Sequence, residues 1–146
     1  MDKPLVRVGV GVIALNDKGQ FLLGKRNNQH GIGTWAIIGG HLEHGEDFES
    51  CAAREVQEET GLGLKHIEVV SVANHIFDTG KHYISIYLIG QIDGPLASIK
   101  MDEREFAEWG FYEDWHGIPA PHFVDYPKAV KADLIDAYRR KHGLAA

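Results

Sequence analysis

Apolar residues along this chain fall into two rhythms, one of strands and one of helices. Val6–Leu15 (VRVGVGVIAL) is a nearly unbroken Val/Ile run and predicts a buried strand, with Gly9 and Gly11 as points of close backbone approach. The tetrad Asn16-Asp17-Lys18-Gly19 is a hairpin signal, and residues 20–25 return as the second strand. Residues 27–34 (NNQHGIGT) form a polar, glycine-bearing loop. Residues 35–38 then make a short strand that runs into Gly39-Gly40, where the backbone is free to turn tightly and approach a ligand. The period changes next. Phe48, Ala52 and Val56 recur four apart, acidic Glu46 or Asp47 opens the segment, and Gly61 suits a left-handed residue just past its end, so a helix is expected.

Beyond this helix, residues 67–76 and 83–91 read as an antiparallel pair about a turn at 78–81. Residues 93–104 are a loop, and residues 105–112 are a last strand carrying Phe106, Trp109 and Phe111. An irregular stretch with Pro119 and Pro121 precedes a final helix over 127–142, with Pro127 in its first turn, Gly143 after its end, and Ala129, Val130, Leu134 and Tyr138 on its buried side. This order predicts an α/β domain over 1–146, a mixed sheet with helices packed on it.

Composition narrows the function. The 146 residues suffice for one core. A formal net charge of −6 argues against broad binding to a nucleic-acid backbone. No apolar run reaches the ~18 residues of a membrane span, and no signal-peptide pattern is evident. The single cysteine, Cys51, excludes an intrachain disulfide and fits a reducing cytosol. An anionic substrate on an acidic protein needs local neutralisation, and a metal would provide it.

The acidic helix offers one. Glu55 and Glu59 lie about 40° apart around a helix, and Glu58 about 60° to the other side of Glu55, so the three carboxylates share one arc. Such an arc is either a solvated acidic face or a site for a hard cation, which prefers oxygen ligands. The wider spacing shifts the balance toward the second. Gly40, five residues, Glu46, seven residues, then Arg54, Glu55, Val56, Glu58, Glu59, Gly61 and Leu62 meets every fixed position of the Nudix box, G-x5-E-x7-R-E-U-x-E-E-x-G-U. The chain therefore resembles the Nudix family. VGVGVIAL, FLLGKR, GTWAIIGGHLEHGE and HYISIYLIG further resemble its MutT-like nucleoside-triphosphatase branch, near the animal enzymes that cleave dGTP-like and thiopurine nucleotides. The similarity runs from about Val6 to Trp115. It departs at Ile38, where that branch often has Pro, and matches poorly after Trp115.

The resemblance implies an α/β/α sandwich and Mg²⁺- or Mn²⁺-dependent hydrolysis of a nucleoside triphosphate to the monophosphate and pyrophosphate. By position, Glu55 and Glu59 would hold metal with Glu58 assisting, Arg54 would orient the glutamates through Glu46, and the Gly40 region would supply a backbone carbonyl. The general base would be Glu58, Glu103 or Glu105. Hydrolysis of ADP-ribose or a nucleotide sugar, and a non-catalytic nucleotide-sensing module, are the competing readings. The branch is often dimeric, so the resemblance allows a homodimer.

Arg26 suits a bidentate phosphate contact, and Gly39, His41 and Ser85 are further candidates for substrate contact. Trp35, Phe77, Tyr83, Trp115 and Phe123 are the aromatics from which one or two would stack on a base. His30, His44 and His66 read as surface residues, and Cys51 as a packing residue rather than a nucleophile.

Overall fold

The computed structural model describes residues 4–28 and 30–144. In chain order it forms β1 (Val6–Leu15), β2 (Phe21–Arg26), β3 (Trp35–Ala36), β4 (Ile38–His41), α1 (Phe48–Thr60), β5 (Gly63–Ile76), β6 (His82–Asp93), β7 (Phe106–Tyr112), α2 (Tyr126–Ala129) and α3 (Ala132–Lys141). The strands make one sheet in the order β3-β2-β1-β6-β5, with β4 also paired to β1 and β7 to β2. β1 and β6 run parallel from Val6↔His82 to Leu15↔Gln91, and the other pairings are antiparallel, so the sheet is mixed as expected.

Alternation along β1 divides the core into two layers. Val10, Val12 and Ala14 pack with Cys51, Ala52 and Val56 of α1. Ile13 and Leu15 pack on the other face with Ala129, Val130, Ile135 and Tyr138 of the C-terminal segment. Helices thus cover both faces of the sheet. Asp47 caps α1 by accepting from Ser50 N, and Gly61 ends it at φ 79°, where a side chain would be strained.

Four elements differ from the sequence reading. Residues 35–38 are two short strands, β3 and β4, and Gly39-Gly40 is not a turn. Both glycines lie inside β4, paired with Gly11 and Val10 of β1. β5 begins at Gly63, four residues early, because Gly63↔Asp93 continues its pairing with β6; the register slips between Lys65 and Glu68, at a left-handed His66 (φ 53°), and the slip hides the alternation. The loop after β6 contains a 3-10 turn at Leu96–Ser98.

The final helix is broken in two at Val130, which is extended (φ −132°, ψ 102°). Ala129 O accepts from Ser71 Oγ, and Val130 O accepts from Trp115 Nε1 at 2.9 Å. Tertiary donors therefore take the carbonyls that a continuous helix would use. Trp115→Phe keeps an aromatic ring but leaves Val130 O buried without its donor, so a loss of about 1–3 kcal/mol is expected. Urea unfolding measures it, and an unchanged midpoint would show that the break does not depend on this bond.

Candidate active site

α1 presents its carboxylates unequally. Glu55 and Glu59 are buried (8% and 6% exposed), turned against β4. Glu58 is exposed and drawn back to Arg54, so the three do not converge as the helical arc alone suggested. Among the described residues no three His, Cys, Asp or Glu side chains are gathered as a metal cage. Two buried carboxylates remain as the core of the site.

Arg54 organises this cluster. Its Nε and Nη2 donate to Glu46 Oε2 and Oε1 at 2.7 and 3.0 Å, a bidentate pair. Nη1 reaches Glu55 Oε1 at 2.9 Å and Glu58 Oε1 at 3.2 Å, and Nη2 also donates to His41 O at 3.1 Å. The hydrogen bond with Arg54 is the main reason the Glu46 carboxyl is lowered to about 2. Glu55 goes the other way: burial pushes it up to about 7, against the pull of Arg54. Glu59 is raised to about 9, first by burial and then by the charges of Glu55 and Glu105; a backbone hydrogen bond with Gly39 and the charge of Arg26 oppose this.

Glu59 Oε2 is buried with no hydrogen-bond partner. A buried carboxylate oxygen without a donor asks for one. Beside it, a Cβ added at Gly40 would fall on the Glu55 carboxylate, so only glycine leaves this space to the acid. Both features, with an all-oxygen donor set, fit a hard divalent cation of the Mg²⁺ type. Such a cation takes one or two carboxylates and completes its shell with water and substrate phosphate, so a full protein cage is not required.

Of the two late carboxylates considered as bases, Glu105 is the one placed with the pair: its charge acts on both Glu55 and Glu59. Glu103 is exposed, and its backbone carbonyl accepts from Asn27 Nδ2. Cys51 is buried and raised to about 12, mainly by burial, as suits a packing residue.

A cavity of about 150 Å³ opens on the other side of β4. Its lining includes Gly39, Gly40, His41, Arg26 and Ser85, so the predicted substrate-contact residues come together in one place. Phe77 and Phe123 form one wall, stacked at 5.3 Å. Tyr83 forms another, with its OH 2.9 Å from His41 Nε2. Trp35 and Trp115 are instead core residues. His30 is not on the open surface: its ring lies edge-on to Phe77 and Phe123, 5.0 Å from each, and lines the cavity. Among the described residues, the lining carries Arg26 and three histidines but no acidic side chain, in contrast to the carboxylates across β4.

Arg26 is already engaged. Its Nε donates to His30 O at 2.8 Å, its Nη2 to Asn28 Oδ1 at 3.0 Å, and its guanidinium lies 4.2 Å from the centre of the Phe123 ring.

Sequence reasoning missed His75, Tyr87 and Tyr126, which also line the cavity; His75 Nε2 is 2.8 Å from Tyr87 OH. A signal for two of them existed. Strand parity puts Tyr83 and Tyr87 on the face of Ser85, and Ala73 opposite Ser85 carries His75 with it.

Residues 5–133 match the family model described as NUDIX domain. An RNA pyrophosphohydrolase from Ruthia magnifica subsp. Calyptogena magnifica is 25% identical, over 94% of this chain and 83% of that protein. The NAD-capped RNA hydrolase NudC of Pseudomonas entomophila (strain L48) is 28% identical over 95% of this chain, which spans 48% of that longer protein. Among solved structures, the MutT NUDIX hydrolase of Burkholderia pseudomallei superposes with a TM-score of 0.73 at 23% identity, covering 92% of this chain and 98% of that one. The MutT protein of Methanosarcina mazei Go1 gives 0.70 at 24% identity, covering 97% and 98%. At these identities the structural likeness speaks for the fold.

Proposed function

The chain belongs to the NUDIX domain family and is a Nudix hydrolase, and from that premise we propose that it cleaves a nucleoside triphosphate to the monophosphate and pyrophosphate. One observation carries the reading: β4 separates a buried carboxylate pair, one of whose oxygens lacks a donor, from an aromatic cavity with no acidic side chain among its described lining residues. The carboxylates suit a cation and its phosphates, and the rings suit a base.

Nudix hydrolases generally use divalent metals. Bound Mg²⁺, or Mn²⁺ in its place, would neutralise the polyphosphate and lower the pKa of the attacking water. Glu55 and Glu59 would hold it, and the backbone at Gly39-Gly40 lies beside them. Arg54 keeps Glu55 oriented and ties Glu46 to α1, so the pair is set before substrate arrives. A neighbouring carboxylate accepts the water's proton. Glu105 is better placed for this than Glu103, with Glu58 the alternative on α1. Stacking on Phe77, Phe123 or Tyr83 would hold the base, while His41 and Ser85 line the approach.

The two curated relatives are named for RNA substrates, so a triphosphate or cap at an RNA 5′ end is the second reading. A Mg²⁺-dependent screen separates the possibilities. It covers standard and oxidised nucleoside triphosphates, ADP-ribose, nucleotide sugars and 5′-triphosphorylated RNA. A free triphosphate is expected to turn over fastest, releasing pyrophosphate. Release of orthophosphate alone, with contaminating pyrophosphatase excluded, would count against the proposal.

A further inference from the structure

We propose that Asn28 is a positioning residue that holds Glu105 toward the Glu55–Glu59 pair, and that Arg26 braces Asn28 against the wall of the aromatic cavity. The inference rests on the function proposed above and assigns a role to two residues outside the Nudix box.

The geometry is a continuous chain of contacts. Asn28 Nδ2 donates to Glu105 Oε2 at 2.8 Å, and Asn28 Oδ1 accepts from Arg26 Nη2 at 3.0 Å, so each end of the amide has a partner. Arg26 is fixed in turn by its bond to His30 O and by its seat over the Phe123 ring. The backbone repeats the arrangement: Asn27 N donates to Glu105 O at 2.8 Å, and Asp102 N donates to Glu59 O at 3.0 Å. The segment bearing Glu105 is therefore tied on one side to the end of β2 and on the other to the last turn of α1.

The chemistry of the brace matters. A lysine in place of Asn28 would neutralise Glu105. A neutral amide directs one carboxylate oxygen and leaves the charge, and the second oxygen, available to the site. Arg26 then acts as an anchor through its planar fork, two donors and one ring face, which a lysine does not reproduce.

The test is a double-mutant cycle on the full chain with Asn28→Ala, Glu105→Gln and the pair together. It is read in steady-state kinetics with the best triphosphate from the screen, and in calorimetric titration with Mn²⁺ alone. Asn28→Ala is expected to lower kcat about 10- to 50-fold with KM within about twofold, and Glu105→Gln to lower it about 100-fold; the double variant should fall no more than about twofold below Glu105→Gln. The same non-additivity is expected in Mn²⁺ affinity, with each single variant weaker by about three- to tenfold. Asn28→Asp, equal in size but unable to donate, should lose at least as much kcat as Asn28→Ala, which keeps the proposal testable if the alanine variant folds poorly. Multiplying losses, or a loss confined to KM or to thermal stability, would overturn it and leave Asn28 a loop staple. If the wild type cleaves none of the compounds screened, the proposed function fails, and the Mn²⁺ cycle still decides the role of Asn28.

Discussion

Glu59→Gln is expected to lower turnover by about 10³-fold or more while the protein stays folded. Gln matches Glu in size, so the cavity beneath α1 remains filled. It replaces a carboxylate by an amide, which cannot supply the anionic oxygen that a hard cation needs. The orphaned Oε2 is the atom whose loss should be felt. The fold does not depend on the charge, because burial already holds this carboxyl at about 9 and thus protonated near neutrality in metal-free protein. Glu55→Gln should behave similarly, since it occupies the neighbouring turn and faces Gly40. Steady-state rates in saturating Mg²⁺, with circular dichroism as the check on folding, decide the matter. Near wild-type rates in both variants would sink the assignment of these residues.

The metal-free protein is expected to lose about 2 kcal/mol of stability between pH 7 and pH 9, and most of that loss should vanish in Glu59→Gln. The sign follows from the direction of the shifts. Glu55 and Glu59 stand at about 7 and about 9 in the folded state, above the ordinary carboxyl value of 4.5. Their contribution is fully present below the unfolded value, where both states are protonated. It falls as pH rises, because the unfolded chain releases its protons first, and it is exhausted above the folded values. A single group contributes a slope of at most about 1.4 kcal/mol per pH unit. In the chosen window Glu59 carries most of it. The cavity histidines His30, His41 and His75 are lowered by burial, so their own effect lies below pH 7. Urea titrations in EDTA measure the slope, and added Mn²⁺ at pH 8 should reverse it by binding only the folded form. A flat profile from pH 7 to 9 would mean that the pair is not desolvated as the structure shows.

Much of the fold was legible because its signals are local. The Val/Ile run of β1, the turn at Asn16 to Gly19 and the Asp47 and Gly61 ends of α1 each depend on a few adjacent residues. The spacing from Gly40 to Leu62 was legible as a pattern, and Arg26, Gly39, His41 and Ser85, singled out from the sequence for substrate contact, line one cavity.

What escaped depends on contacts distant in sequence. The break at Val130 needs Trp115 and Ser71, respectively 15 residues away and 58 residues from the adjoining Ala129. The inequality of Glu58 and Glu59 arises because one side of the helical arc meets β4 and the other meets solvent and Arg54. His30 read as a surface residue because a polar glycine loop gives no sign that Phe77 and Phe123 wait beneath it. Tyr126 lies in the stretch where the resemblance faded, yet it lines the cavity as directly as Gly40 does.

The cavity wall formed by Phe123, Val124 and Tyr126 is held to β3 by few bonds. Trp35 N donates to Pro121 O at 2.8 Å, and Phe123 N donates to Trp35 O at 2.9 Å. None of these residues belongs to the carboxylate helix. On the function proposed above, the carboxylates and the wall of the base cavity sit on separate stretches of chain. A transplant of residues 121–126 from a relative, with both backbone bonds to Trp35 and the aromatic ring under Arg26 at position 123 retained, is a compact way to re-aim the enzyme without disturbing Glu55 and Glu59.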